Sequence, residues 1–122
     1  MFQGLRTVIY HVTDLDRAKA WYTALLGKGP YFDEPFYVGY NVGGYELGLL
    51  PTEAATAPGT PVNVVTYWGV EDIEAAFARL IEAGAVLHGP VTDVGDGIKV
   101  AEVIDPFGNP VGIIYNPHFK VE

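Results

Sequence analysis

Two stretches of the chain carry the same alternation of apolar and polar positions. Residues 12–20 read V-T-D-L-D-R-A-K-A and residues 70–78 read V-E-D-I-E-A-A-F-A. Each is preceded by a run rich in β-branched and aromatic residues, T-V-I-Y-H-V in the first case and V-V-T-Y-W-G-V in the second. Such runs predict strands. The aspartate that follows each, Asp14 or Asp72, suits a helix N-cap, and Asp16 in the first turn suits the positive helix end. Leu15, Ala18, Tyr22 and Leu25 then recur at helical spacing, as do Ile73, Ala76, Phe77 and Leu80. Gly27 and Gly84 are the predicted stops.

After each helix the pattern turns to strands and tight turns. F-Y-V-G-Y-N-V, Gly43-Gly44 and Y-E-L-G-L-L predict one hairpin. I-K-V-A-E-V-I, D-P-F-G-N-P and V-G-I-I-Y predict a second with a longer loop. The order is β-α-β-β-β, twice: one half over about residues 5–51, a linker over about 52–62, and a second half over about 63–117. The expected fold class is α+β, a single domain over residues 1–122. One helix on the outer face of each four-stranded half leaves an inner face uncovered. Two such halves are expected to pack side by side, their mixed sheets curling into a cup with the helices outside, a natural ligand cavity.

Composition narrows the functions this fold could serve. The chain has 122 residues, 49% of them hydrophobic, enough for a sizeable core. It contains no cysteine, which excludes disulfides, thiolate metal sites and a cysteine nucleophile. Acidic residues outnumber basic ones by 15 to 7, for a net charge of −8. No basic face is available for nucleic acid or for an anionic membrane surface. The opening M-F-Q-G-L-R lacks the apolar core of a signal peptide, and no apolar stretch is long enough to span a bilayer. A cytoplasmic protein is the expectation. Phosphate-cradling loops, serine elbows and H-E-x-x-H are absent; N-V-G-G-Y is a hairpin with no helix after it.

Three motifs carry a family resemblance. V-T-D-L-D-R-A-K-A-W-Y-T-A-L-L-G, V-E-D-I-E-A-A-F-A-R-L-I-E-A-G and D-P-F-G-N-P, in this order, resemble the signatures of the vicinal-oxygen-chelate superfamily. That superfamily includes glyoxalases, bleomycin-resistance proteins and extradiol dioxygenases. The likeness covers nearly the whole chain, about residues 5–117, and implies the two-module cup, a small organic ligand and a homodimer. Enzymes of the family usually hold a divalent metal with four side chains. By this resemblance those positions fall on Thr7 and Val65, each seven residues before a capping aspartate, on Glu46, and on Gly112, seven after the turn aspartate. Valine and glycine offer no side-chain ligand and threonine a poor one. No cofactor is therefore expected, while a divalent ion held by other groups or across a dimer is left open.

Strand alternation then sorts the candidates. If Thr7 faces the cup, so do Ile9 and His11, with Val8, Tyr10 and Val12 under the helix. Gly48 accompanies Glu46, Tyr67 and Gly69 accompany Val65, and Ile114 accompanies Gly112. The expected ligand contacts are Thr7, Ile9, His11, Glu46, Tyr67, Gly112 and Ile114. In glutathione-using relatives the position matching His11 contacts substrate. Glu46 interrupts an apolar run; inside a cup its pKa should rise unless a cation or donor pairs with it, and it is the candidate catalytic acid or base. The alternatives for Glu46 are a hydrogen-bonded relic of a metal site or an exposed edge residue. Tyr67 could stack on a ligand or simply fill core. Tyr31, Phe32, Phe36, Tyr37 and Tyr40 are expected to be mostly core, although such a cluster could wall a pocket. Trp21 and Trp68 are read as helix–sheet packing, His88 and His118 as solvated residues of a loop and the tail, and Asp93 and Asp96 as turn residues. The leading expectation is a metal-free small-molecule binder of the bleomycin-resistance kind. Two others stand beside it. One is an enzyme, either metal-dependent or using Glu46 to move a proton with His11 or Tyr67 orienting substrate. The other is a partner-binding domain with a filled cup.

Overall fold

The computed structural model describes residues 1, 3–53 and 65–119. It divides into two compact units, residues 1–55 and 56–122. Most of the expected linker at 52–62, and the start of the second half at 63, lie outside the described residues.

The first unit runs β1 (Thr7–Val12), α1 (Leu15–Leu26), β2 (Phe32–Glu34), β3 (Tyr37–Val42) and β4 (Tyr45–Pro51). The strands form one sheet in the order β1-β4-β3-β2, with β1 parallel to β4 and the other pairs antiparallel. Asp14 caps α1 by accepting from the Arg17 amide at 3.0 Å. Gly27 ends the helix in the left-handed region at φ 74°, which its missing Cβ permits. One sheet face presents Tyr10, Val12, Val38, Tyr40, Leu47 and Leu49, all buried. Ala18 and Tyr22 of α1 are buried as well, and Tyr22 stacks on Tyr10 with ring centroids 6.0 Å apart. The Tyr40 hydroxyl donates to the Lys19 carbonyl and meets the Thr23 hydroxyl, so this buried phenol is satisfied.

The second unit repeats the order: β5 (Tyr67–Gly69), α2 (Ile73–Glu82), β6 (Val86–Gly95), β7 (Ile98–Ile104) and β8 (Pro110–Tyr115), in the sheet order β5-β8-β7-β6. Asp72 caps α2 through the Ala75 amide. Ile73 and Leu80 of α2, with Ala101, Val103, Val111 and Ile113 of the sheet, supply its core. The D-P-F-G-N-P turn is built on Asp105, the one buried charged side chain among the described residues. Its Oδ1 accepts from the amides of Phe107 at 2.9 Å and Asn109 at 2.8 Å. Asp93 accepts from the Gly95 amide in the β6–β7 turn, in keeping with a turn role.

Two strands went unlocated in the sequence. β2 is three exposed residues on a sheet edge, and β6 is exposed and bulged along most of its length, so neither carries a clean alternation. His88 consequently stands in a strand rather than a loop. His118 does lie in the tail, its ring 2.7 Å from the Asp96 carbonyl.

Candidate functional site: a carboxylate closed by hydroxyls

The face of the first sheet opposite α1 is open. Register places Thr7 beside Glu46 and Glu46 beside Asn41, then Ile9 beside Gly48, Gly48 beside Gly39 and Gly39 beside Phe32. Thr7, Ile9 and His11 are exposed along β1, while Val8 is half-buried and Tyr10 and Val12 are buried beneath. Thr7 and Glu46 are thereby brought into contact; Ile9 and His11 share their face.

Glu46 receives three side-chain hydroxyls. Thr7 Oγ1 donates to Oε1 at 3.0 Å, the Tyr37 hydroxyl donates to Oε1 at 3.0 Å, and the Tyr31 hydroxyl donates to Oε2. Two glycines make room for this. A Cβ on Gly39 would stand 2.8 Å from Glu46 Oε2 and 3.2 Å from Tyr31 Cε1. A Cβ on Gly48 would stand 2.6 Å from Tyr37 Cζ. Paired across β3 and β4, Gly39 and Gly48 leave a bare patch of backbone on which both phenols lie.

The electrostatic outcome differs from the rise expected for an unpaired Glu46. The Tyr31 hydrogen bond, outweighing partial desolvation and helped by Thr7 and Tyr37, holds the Glu46 carboxyl below the usual range. The cost appears on the phenols. Burial, then the bond to Glu46, pushes Tyr37 up to about 12, and the bond to Glu46 raises Tyr31. Glu46 is therefore an ionised acceptor with three hydroxyl donors and room for about one more on Oε2, ill suited to give up a proton near neutral pH.

Beside it lies an open hollow of about 240 Å³, lined by Arg6, Thr7, Tyr31, Asn41, Gly44, Tyr45 and Glu46. The Arg6 guanidinium folds back onto the Gln3 side chain at 3.2 Å. The expectation that the aromatic cluster is mostly core is corrected here. Tyr40 is fully buried, but Tyr31 is 65% exposed, Phe36 63% and Phe32 38%, because β2 is an edge strand and the rings lie over the open face. Phe32 touches the rings of Tyr31, Phe36 and Tyr37 at centroid distances of 6.0–6.5 Å. Tyr31 and Tyr37 are the residues that sequence reasoning missed as partners of Glu46. The available signal was Gly39 and Gly48, each set in a strand that otherwise carries bulky residues.

In the second unit, Tyr67 and Gly69 pair with Gly112 and Ile114. Val65 precedes β5, so the residue beside Gly112 is Tyr67, two positions further on than the repeat implied. The Tyr67 ring lies against Gly112, where a Cβ would be 2.7 Å from Cδ1.

Comparison with known proteins places this geometry. The sequence model of the Glyoxalase/Bleomycin resistance protein/Dioxygenase superfamily matches residues 4–113. The chain belongs to this superfamily. A curated relative, "Putative glyoxylase CFP32" of Mycobacterium bovis, is 33% identical over 110 residues, covering 83% of this chain. The chain spans only 41% of that relative's length. A glyoxalase-related enzyme from Fulvimarina pelagi has the same fold at TM-score 0.77 and 22% identity, covering 99% of this chain and 94% of the other. A glyoxalase/bleomycin resistance protein from Albidiferax ferrireducens follows at TM-score 0.72 and 23% identity, covering 93% and 98%.

The superfamily often uses a divalent metal, and the residues here do not fit one. The positions matched to ligands are Thr7, Glu46, Val65 and Gly112, and both Glu46 oxygens already accept from hydroxyls. Among the described residues, no three His, Asp or Glu side chains converge on one point.

Proposed function

We propose that this chain is a small-molecule-binding protein of the glyoxalase/bleomycin-resistance type that works without the family's metal. Its ligand is a partly aromatic, neutral or cationic organic molecule. In this reading each unit offers ligand contacts of its own: Thr7, Ile9, His11 and Glu46 in the first, and Tyr67, Gly112 and Ile114 in the second. A cytoplasmic homodimer is part of the same proposal.

The observation that carries the reading is the pairing of an ionised carboxylate with exposed rings on an uncovered sheet face. Glu46 offers fixed negative charge, and Tyr31, Phe32 and Tyr37 offer apolar and π surface that the core does not use. Rings favour stacking with planar groups, and their faces favour cations. The net charge of −8 points the same way.

The names of the relatives favour a second reading, an enzyme of the glyoxalase kind. Its difficulty lies in Glu46, which already accepts three hydroxyl hydrogen bonds and whose basicity is reduced. Under the binding proposal, a thermal-shift screen of aromatic amines and neutral aromatic amphiphiles yields compounds that stabilise the chain. At about 100 times its Kd a bound compound contributes about 2.7 kcal/mol. Glu46→Gln and the double variant Tyr31→Phe/Tyr37→Phe then reduce that stabilisation. A screen without hits, or hits indifferent to both variants, overturns the assignment.

A further inference from the structure

The second sheet carries a carboxylate that nothing above uses. On β7, Ala101 and Val103 are buried with α2, so by strand parity Val100 and Glu102, both half-buried, point to the opposite face. Register puts Glu102 beside Gly112 on β8 and beside Gly89 on β6. Gly112 is in turn paired with Tyr67 on β5. Tyr67 and Glu102 thus flank one glycine from opposite sides, their backbones about 10 Å apart at ordinary strand spacing. The Tyr67 ring is laid across the intervening Gly112. One step along the same face, Val100 pairs with Ile114 and extends the patch with apolar surface.

Glu102 differs from Glu46 in its company. It is half-buried, yet among the described residues its carboxylate accepts no hydrogen bond and joins no ion pair. Lys99, the cation on its own strand, has the opposite parity and reaches Glu74 of α2 at 3.1 Å. Thr92, on this face of β6, has its hydroxyl turned to the Pro90 carbonyl. No cation on β5, β7 or β8 faces Glu102. A carboxylate that is partly withdrawn from water, beside an aromatic ring and without a local donor, suits an external donor that brings its own positive charge.

We propose that Glu102 and Tyr67 form a binding site for an organic ammonium group, with the Tyr67 ring as platform, Gly112 as floor and Glu102 as counter-ion. This deepens the proposed function, resting on its reading of Tyr67, Gly112 and Ile114 as ligand contacts, and adds Glu102 without using Glu46 or any other residue of the first unit. A primary ammonium donates to the Glu102 oxygens while the attached apolar group rests on Tyr67 and Ile114.

The test is an amide-detected NMR titration of the whole chain with benzylamine, benzyl alcohol and phenylacetate as probes. Benzylamine is expected to shift the amides of Tyr67, Glu102, Gly112 and Ile114. Benzyl alcohol should bind about tenfold more weakly, and phenylacetate more weakly still. Glu102→Gln, which preserves size, should weaken benzylamine about tenfold, whereas Glu82→Gln, an exposed carboxylate of α2, should not. Tyr67→Leu should weaken benzylamine and benzyl alcohol alike. Equal affinity for amine and alcohol, unchanged affinity in Glu102→Gln, or shifts confined to the first unit would each overturn the proposal. The last result would leave the Glu46 assignment standing, so the two can fail separately.

Discussion

Gly48→Ala tests the idea that a glycine pair seats the phenols on Glu46. Gly48 lies in β4 with no positive φ, so alanine is conformationally acceptable there. The three heavy atoms nearest to an added Cβ all belong to Tyr37, two of them 2.6 and 3.0 Å away. Real contacts of this kind are not that short, so the ring must leave. Overpacking typically costs 1–3 kcal/mol. Losing a charge-assisted bond costs about 1 kcal/mol more once solvent at this half-exposed site is considered. Together these give about 2–4 kcal/mol, a loss of roughly 10 °C in Tm for a chain of this size. In a Tyr37→Ala background the obstacle is gone, and the same substitution should be neutral or slightly stabilising, since alanine is the better strand residue. The assay is a double-mutant cycle by urea denaturation, with an expected coupling of about 2–4 kcal/mol. If Gly48→Ala costs the same with and without the Tyr37 ring, the reasoning about the seat is wrong.

Removing both phenols as Tyr31→Phe/Tyr37→Phe should move the Glu46 midpoint up toward its ordinary 4.5, read by 13C NMR of the glutamate carboxyl; an unmoved midpoint counts against the hydrogen-bond account. Because the folded pKa of Glu46 lies below its unfolded value, its contribution to stability is full above about pH 4.5 and is lost as pH falls through the lower folded value. The stability gap between the wild type and this variant should accordingly narrow in acid. Asp14→Ala and Asp72→Ala should each cost about 1 kcal/mol in chemical denaturation, since each leaves a first-turn amide without its acceptor; no change in either would mean that the caps are idle.

Much of the architecture was legible because it is local. Asp14 and Asp72 mark helix starts by capping chemistry, Gly27 marks an end by its φ, and period-two alternation sorts Thr7, Ile9 and His11 from Val8, Tyr10 and Val12. These signals lie within a few residues of what they specify. The setting of Glu46 was hidden because it is not local. Tyr31 and Tyr37 reach it only because β2, β3 and β4 pair in one register and because Gly39 and Gly48 coincide across that pairing. No periodicity along the chain encodes that coincidence. The partner of Gly112 is likewise not written in the repeat, which fixes spacing within each half, whereas register is set by the pairing of β5 with β8. Glu102 was within reach of sequence reasoning. In I-K-V-A-E-V-I, Lys99 and Glu102 have opposite parity and so must point to opposite faces.

Under the proposed function, the metal position of this superfamily has become, in this chain, a hydroxyl-closed carboxylate serving an organic ligand. The most direct measurement is the metal content of the untagged protein by mass spectrometry, as purified and after soaking in nickel, zinc, manganese and ferrous iron followed by desalting. Well under about one ion per ten chains is expected in every case. About one ion per chain in any of them would contradict it and return Glu46 to the role of a metal ligand.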